Sequence, residues 1–85
     1  MESNNDLRPA LLSFAHLMES QLQRNDYKGG WRVESLQFLF ARLTEESYEL
    51  QASIANKDSA DTIRREAADV ANFAMMIADV CKPTH

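Results

Sequence analysis

The sequence predicts an all-α fold: a three-helix chain that forms an antiparallel helical bundle completed by oligomerisation. Apolar residues recur at the three- and four-residue spacing of helices in three segments. The glycines at 29–30 and the prolines at 9 and 83 lie between these segments or near their ends. Residues 70–78 are apolar on nearly every side, which is typical of a helix that is buried all round. Three helices from one chain are too few to cover it, so a second subunit is expected.

The first helix is expected to start after Asp6, with Pro9 in its first turn, and to end near Asn25. Its apolar stripe comprises Leu7, Leu11, Phe14, Met18 and Leu22. The two adjacent glycines that follow break the helical pattern, because glycine adopts backbone angles that other residues avoid.

The second and third helices are expected to form a hairpin around the polar turn at 56–59. The second helix should start at Ser35, and the third at Asp58 or Ser59, ending before Pro83. The stripe of the second helix comprises Leu36, Leu39, Phe40, Leu43, Leu50 and Ile54. The main stripe of the third comprises Ile63, Ala67, Val70, Ala74, Ile77 and Cys81.

Length and composition restrict the class of protein. Eighty-five residues make one domain, residues 1–85, whose small core favours self-association. The net charge of -4, with scattered basic residues, argues against binding a nucleic-acid polymer. No segment resembles a membrane span or a signal peptide, and a single cysteine suits a reducing compartment. A cytoplasmic location is therefore expected.

Two pairs of acids are the candidate functional site. Glu46 with Glu49, and Glu66 with Asp69, have the same three-residue spacing and are symmetric about the predicted turn. Both helices rise about 1.5 Å per residue, so the pairs should meet at one level of the hairpin. Such a cluster repels itself without a cation. The non-functional alternative is that these acids are exposed and pair with Arg42, Arg64 or Arg65 at helical spacing.

The ligand type indicates which metal such a cluster would bind. All-oxygen ligands suit Mg²⁺, Mn²⁺ or Ca²⁺, and Mg²⁺ is commonly shared with substrate phosphates. Di-iron bundles use Glu-x-x-His pairs, but His16 and His85 lie elsewhere in the sequence. We therefore expect Mg²⁺, with Mn²⁺ as a possible substitute, and no redox iron.

The acid pairs also carry a family resemblance. The segment 45–49, sixteen further residues, and the segment 66–69 resemble the ExxE…ExxD signature of the all-α nucleoside triphosphate pyrophosphohydrolases. That superfamily includes MazG, the dimeric dUTPases and the dCTP pyrophosphatases. The segments 28–31 and 69–74 are similar to its small MazG-like branch. The resemblance covers about residues 14–81, and the chain stops soon after the third helix, whereas larger members have further helical segments.

The resemblance implies a Mg²⁺-dependent hydrolase that cleaves a nucleoside triphosphate between the α and β phosphates, and a deoxynucleotide is the expected substrate. Glu46, Glu49, Glu66 and Asp69 fall on the family's metal-binding positions. A carboxylate that orients or deprotonates water is expected at Glu46 or Glu45. A homodimer or homotetramer is expected. The alternatives are a non-catalytic helical oligomer that binds nucleotide or a protein partner, and a plain structural bundle.

Four further residues are candidates for substrate binding, each with an alternative role. Trp31 could stack on the nucleobase or anchor its loop to the bundle, and Lys28 could reach a phosphate or be a surface lysine. Phe73 could wall the base pocket or pack in the core. Asn72 could bind sugar or phosphate or lie in an interface.

Other conspicuous residues have simpler interpretations. His16 is expected on the solvent-exposed side of the first helix. Met75 and Met76 are expected to fill an interface, and Cys81 to be a small buried apolar residue.

Overall fold

Three α-helices and no strand form the described part of the chain, residues 6–25 and 30–83 of a computed structural model. Helix α1 spans Pro9–Arg24, α2 spans Leu36–Ala55 and α3 spans Ala60–Val80. The all-α prediction is confirmed for these residues. No helix among them is both long and apolar enough to cross a lipid bilayer.

The start of α1 differs from the prediction. The helix begins at Pro9 with Arg8 as its N-cap residue, and no side chain caps it, so Asp6 is not the cap. Proline disfavours helical angles in the residue before it, and Arg8 accordingly has an extended ψ of 142°. The ring of Pro9 instead presets the first helical position, where no backbone N–H is needed.

The predicted start of α2 at Ser35 is confirmed, and of the two alternatives for α3 the structure has Ser59; both serines are N-caps. The Ser35 hydroxyl accepts a hydrogen bond from the backbone N–H of Phe38 at 3.0 Å. The Ser59 hydroxyl accepts one from the N–H of Thr62 at 3.1 Å. Each bond satisfies a backbone donor that has no partner within its own helix.

The turn between α2 and α3 is a Schellman motif with an unusual residue in it. The N–H of Asp58 donates to the carbonyl of Ser53 at 3.0 Å, and that of Lys57 to Ile54 at 3.1 Å. Lys57 has a φ of 57°, in the left-handed region that glycine usually occupies at this position. This turn sets the register of α2 against α3, and with it the alignment of the acid pairs.

Helix α3 packs against both α2 and α1. The positions that α2 buries are seven residues apart: Leu39, Glu46 and Ser53. This heptad spacing is typical of two helices packed along a seam. Leu39 joins Phe73 and Met76 in the core, against which Leu22 and Trp31 also pack. The central residue of the α2 seam is therefore a carboxylate.

The single chain buries the predicted apolar stripes only in part: Leu22, Leu43 and Ile77 pack against the core, while other stripe residues stay exposed. Only Leu39 of the α2 stripe is buried, whereas Leu36, Phe40 and Ile54 are 42%, 61% and 56% exposed. On α3 the buried residues are Ala68, Asn72, Phe73 and Met76, which lie off the predicted main stripe. Sequence periodicity finds the apolar residues, but it does not say which of them face a neighbour within the same chain.

The conformation of Lys57 generates a stability prediction. An L-residue in the left-handed region costs roughly 1–2 kcal/mol relative to glycine, offset in part by the greater freedom of glycine in the unfolded chain. We expect Lys57→Gly to raise the free energy of unfolding by about 0.5–1 kcal/mol, measured by urea denaturation. Lys57→Ala is the control and should give no gain. Equal stability of the two variants would contradict a strained turn.

Candidate functional site

The hairpin brings the acid pairs to a common pocket. Carboxylate oxygens of Glu46, Glu66 and Asp69 lie within 4.8 Å of one another. Glu49 lines the same pocket, whose volume is about 390 Å³. The alignment across the turn thus brings four acids to one pocket. Glu46, Glu66 and Asp69 lie close together, and Glu49 is the exposed one.

Burial and mutual repulsion act together on two of these acids. The pKa of Glu46 is raised, first by burial and then by the charges of Glu49 and Asp69, while Arg42 opposes the rise. The pKa of Glu66 is raised by burial and by the same two acids. A carboxylate with a raised folded-state pKa favours the folded state at low pH, and that contribution is lost as pH rises through the raised value. Once these carboxylates are ionised, the cluster therefore lowers the free energy of unfolding.

Helix α1 supplies two amides that sequence reasoning missed. The Nε2 of Gln21 donates to Oδ1 of Asp69 at 2.9 Å, and the Nδ2 of Asn25 contacts the same oxygen at 3.5 Å. Gln21 is only 5% exposed. Gln21 and Asn25 are four residues apart, so the sequence places them on one side of the helix. This spacing does not reveal that their partner is Asp69, which is 44–48 residues further along the chain. Asp69 is thereby held in place by the helix on its other side.

Arg42 joins the acid pocket to the aromatic residues beside it. Its guanidinium lies 3.4 Å from Oε2 of Glu46, pairs with Glu45, and stacks over the ring of Phe73 at 5.2 Å. The ion pair with Arg42 that the non-functional alternative predicted is therefore present. It offsets part of the negative charge of Glu46 and does not displace the acids from the pocket.

A second, largely apolar pocket of about 150 Å³ adjoins the first. Trp31, Phe38, Leu39, Phe73 and Met76 form its walls, together with Gly30, Glu34 and Arg42. Phe73 and Arg42 line both pockets. The core-packing alternative for Phe73 is confirmed, and the residue also lines both pockets; its contact with a base stays a prediction.

Trp31 is fixed by the C-terminal end of α3. Its indole N–H donates to Oδ2 of Asp79 at 3.1 Å, and Arg32 donates to the same oxygen at 3.1 Å and to the Asp79 carbonyl at 2.9 Å. The bond from Trp31 and the charge of Arg32 lower the pKa of Asp79. This contribution to stability is present above the unfolded-state pKa and is lost as pH falls through the lowered value. Trp31 therefore anchors its loop and also forms a pocket wall.

The other predicted site residues lie away from both pockets or outside the described part. Glu45 is exposed and paired with Arg42, and it does not line either described pocket. Asn72 is 2% exposed, and its Nδ2 donates to the carbonyl of Met18 at 3.0 Å, so it ties α3 to α1. Lys28 lies outside the described residues.

Two of the simpler interpretations need correction. Cys81 is exposed, because it follows the last turn of α3 and caps that helix at the surface. Met76 is fully buried in the core of the chain, whereas Met75 is only half-buried. His16 is exposed on α1, as expected.

The donor set fits a hard divalent cation. The Oε1 of Glu66 is buried and has no hydrogen-bond partner among residues 6–25 and 30–83. Such an atom is costly unless something binds it. Ligands on one Mg²⁺ lie about 3–4 Å apart, because each bond is about 2.1 Å long. The three close acids could reach this spacing with small side-chain shifts.

Comparison of the chain with protein-family models, with curated proteins and with solved structures gave no match. The resemblance to the pyrophosphohydrolases therefore remains a prediction from the acid motif and the segments beside it.

The electrostatics of the cluster generate a metal-linked stability prediction. Without divalent cations at pH 7, Glu66→Gln should raise the melting temperature, since it removes a carboxylate that burial and neighbouring acids disfavour. Mg²⁺ at 100 times its Kd should stabilise the original chain by about 2.7 kcal/mol, and should stabilise Glu66→Gln far less. Differential scanning calorimetry with EDTA and with Mg²⁺ measures both effects.

The exposed pair of Asp61 with Arg65 on the same helix offers a control. Asp61→Asn should leave the Mg²⁺-dependent shift unchanged. An equal shift in the original chain and in Glu66→Gln would show that Glu66 does not bind the cation.

Proposed function

We propose that this protein is a Mg²⁺-dependent nucleoside triphosphate pyrophosphohydrolase, which cleaves the substrate between its α and β phosphates to a monophosphate and pyrophosphate. The observation that carries the proposal is the close group of Glu46, Glu66 and Asp69 across the α2–α3 seam, with a buried oxygen on Glu66 that has no partner in the described part of the chain. The resemblance of the acid motif adds the reaction type.

Charge explains why such a pocket suits a triphosphate only with cations present. Four carboxylates repel a polyanion, so the bare pocket disfavours the proposed substrate. Glu46, Glu49, Glu66 and Asp69 are the residues that would hold Mg²⁺, and Mn²⁺ has the same ligand preference. When bound, the cation would offset charge on the phosphate oxygens and make water more acidic.

Among the two candidates for the proton acceptor, the contacts favour Glu46 over Glu45. Glu46 lines the pocket and is only 8% exposed, so it is the one of the two that could reach a water molecule beside the phosphates. Arg42 lies beside it and restricts its position. Glu45 points away into solvent and pairs with the same arginine.

The adjoining apolar pocket suits the base of the nucleotide. Trp31 offers a flat aromatic wall, and a planar base stacks on such a surface. Because Phe73 and Arg42 line both pockets, a nucleotide could place its phosphates at the acids and its base against the tryptophan.

A cytoplasmic location belongs to the same proposal, because the exposed thiol of Cys81 suits a reducing compartment.

A homodimer or homotetramer is also part of the proposal. The uncovered residues Leu11, Leu36, Phe40 and Ile54 are each more than two-fifths exposed. Exposed apolar side chains that follow one helix, as Leu36, Phe40 and Ile54 follow α2, are typical of an interface between proteins. A second copy that buried these stripes would supply the missing side of the bundle.

The activity prediction concerns two of the four acids. With Mg²⁺, the chain should release pyrophosphate from at least one member of a panel of nucleoside and deoxynucleoside triphosphates, and EDTA should abolish the release. Glu49→Gln and Asp69→Asn should each lower kcat/KM at least 100-fold, because each removes charge that binds the cation. Circular dichroism should show that the helices persist in both variants.

Matched controls use exposed acids outside the pocket. Glu19→Gln and Asp61→Asn remove the same charges from α1 and α3 and should retain activity. Full activity in both pocket variants would remove the mechanism. A Mg²⁺-dependent rise in melting temperature with no pyrophosphate release would favour the non-catalytic binding module.

The oligomer prediction concerns the exposed α2 stripe. Light scattering should give the mass of two or four chains, and Phe40→Glu should reduce it to that of one chain by placing a charge in the interface. Val33→Glu is the control, since Val33 is 90% exposed in the loop before α2. A monomer in the original chain would refute self-association.

A further inference from the structure

Among the residues that the structure describes, Glu34 is the one acid that lines the apolar pocket. It lies between Trp31 and the N-cap residue Ser35, and its backbone N–H donates to the Trp31 carbonyl at 3.0 Å. Its residue is half-buried. Among the described residues, no side chain forms a hydrogen bond or ion pair with its carboxylate. Within residues 6–25 and 30–83 its carboxylate thus has no polar partner and lies beside the wall formed by Trp31.

An ionised carboxylate accepts hydrogen bonds and donates none. A planar ligand stacked on Trp31 would gain most from Glu34 if it carried two adjacent N–H donors on its edge. Bonds of this kind to a charged acceptor are stronger than neutral ones. Glu34 thus favours a ligand that carries hydrogen-bond donors on its edge.

The nucleobases differ in this respect. Guanine presents N1–H and an exocyclic amino group side by side, which matches both oxygens of a carboxylate. Adenine and cytosine each place a ring acceptor beside their amino group, and that lone pair would face a negative charge. Thymine and uracil have one N–H between two carbonyl oxygens. Guanine is the base whose edge suits Glu34.

We propose that Glu34 is a specificity residue that selects guanine nucleotides. The inference rests on the proposed function for the presence of a nucleotide, and it adds the base that the site prefers. Glu34 would accept the N1–H and amino hydrogens while the ring stacks on Trp31. The phosphates would lie towards Arg42 and the acids.

A purely structural role for Glu34 makes a different prediction. The residue directly precedes the N-cap of α2, where a negative charge is favoured by the helix dipole. In that role, removing the charge would lower stability slightly and would affect all bases equally. A change in the order of base preference is the readout that separates the two roles.

The test uses binding, so that it does not depend on turnover. Trp31 is the only tryptophan of the chain and lines the pocket, so its fluorescence reports on an occupant directly. The probes are the 5′-monophosphates of deoxyguanosine, deoxyadenosine, deoxycytidine and thymidine, each titrated with Mg²⁺ present. We expect the guanine nucleotide to bind about 10- to 100-fold more tightly than the others, the range for one bidentate base contact.

Glu34→Gln is the diagnostic variant. Its amide offers one acceptor and one donor, a pattern that adenine and cytosine match. We expect it to lose the guanine preference about 10-fold or more and to bind the adenine nucleotide at least as well. Glu19→Gln, an exposed acid on α1, should keep the original order.

The outcomes separate this inference from the proposed function. Guanine-selective binding that Glu34→Gln abolishes supports the inference, whether or not pyrophosphate is released from triphosphates. Pyrophosphate release with another base order, or with an order that Glu34→Gln leaves unchanged, overturns the inference while the proposed function stands. No binding of any nucleotide also overturns it.

Discussion

A carboxylate buried in a helix–helix seam is the constraint on which the rest of the structure depends. Leu39, Glu46 and Ser53 follow one another at seven-residue intervals along the face of α2 that meets α3. An apolar residue at the middle position would pack more favourably, since burying a charge is costly unless it is paired. The seam accommodates Glu46 by widening into a pocket and by placing Arg42 beside it.

The three helices contribute unequally to that pocket. α2 and α3 each present two acids, and the short turn between them sets the alignment. α1 adds no acid, but Gln21 and Asn25 hold Asp69 from the other side. Asn72 of α3 donates to the carbonyl of Met18, which lies about one helical turn before Gln21 on α1. The position of α1 is therefore coupled to the site. A hairpin alone would lack this support.

Arg42 and Phe73 connect two surroundings of opposite character. The acid pocket is polar and negatively charged, whereas the neighbouring pocket has aromatic and aliphatic walls. The stacking of the guanidinium over the phenyl ring lets a cation lie at their boundary without losing its contact to Glu46. A ligand with a charged end and a planar apolar end matches this arrangement, which is why the proposed substrate is a nucleotide.

The sequence by itself determined the three helices, the start of α2 at Ser35 and the alignment of the acid pairs. These features depend on local chemistry and on a helical rise that is the same for both helices. Only the tertiary structure decided which apolar residues are buried, that Gln21 reaches Asp69, and that Trp31 is anchored by Asp79. Such contacts join residues about 48 positions apart, and helical periodicity carries no information about which face meets a distant partner.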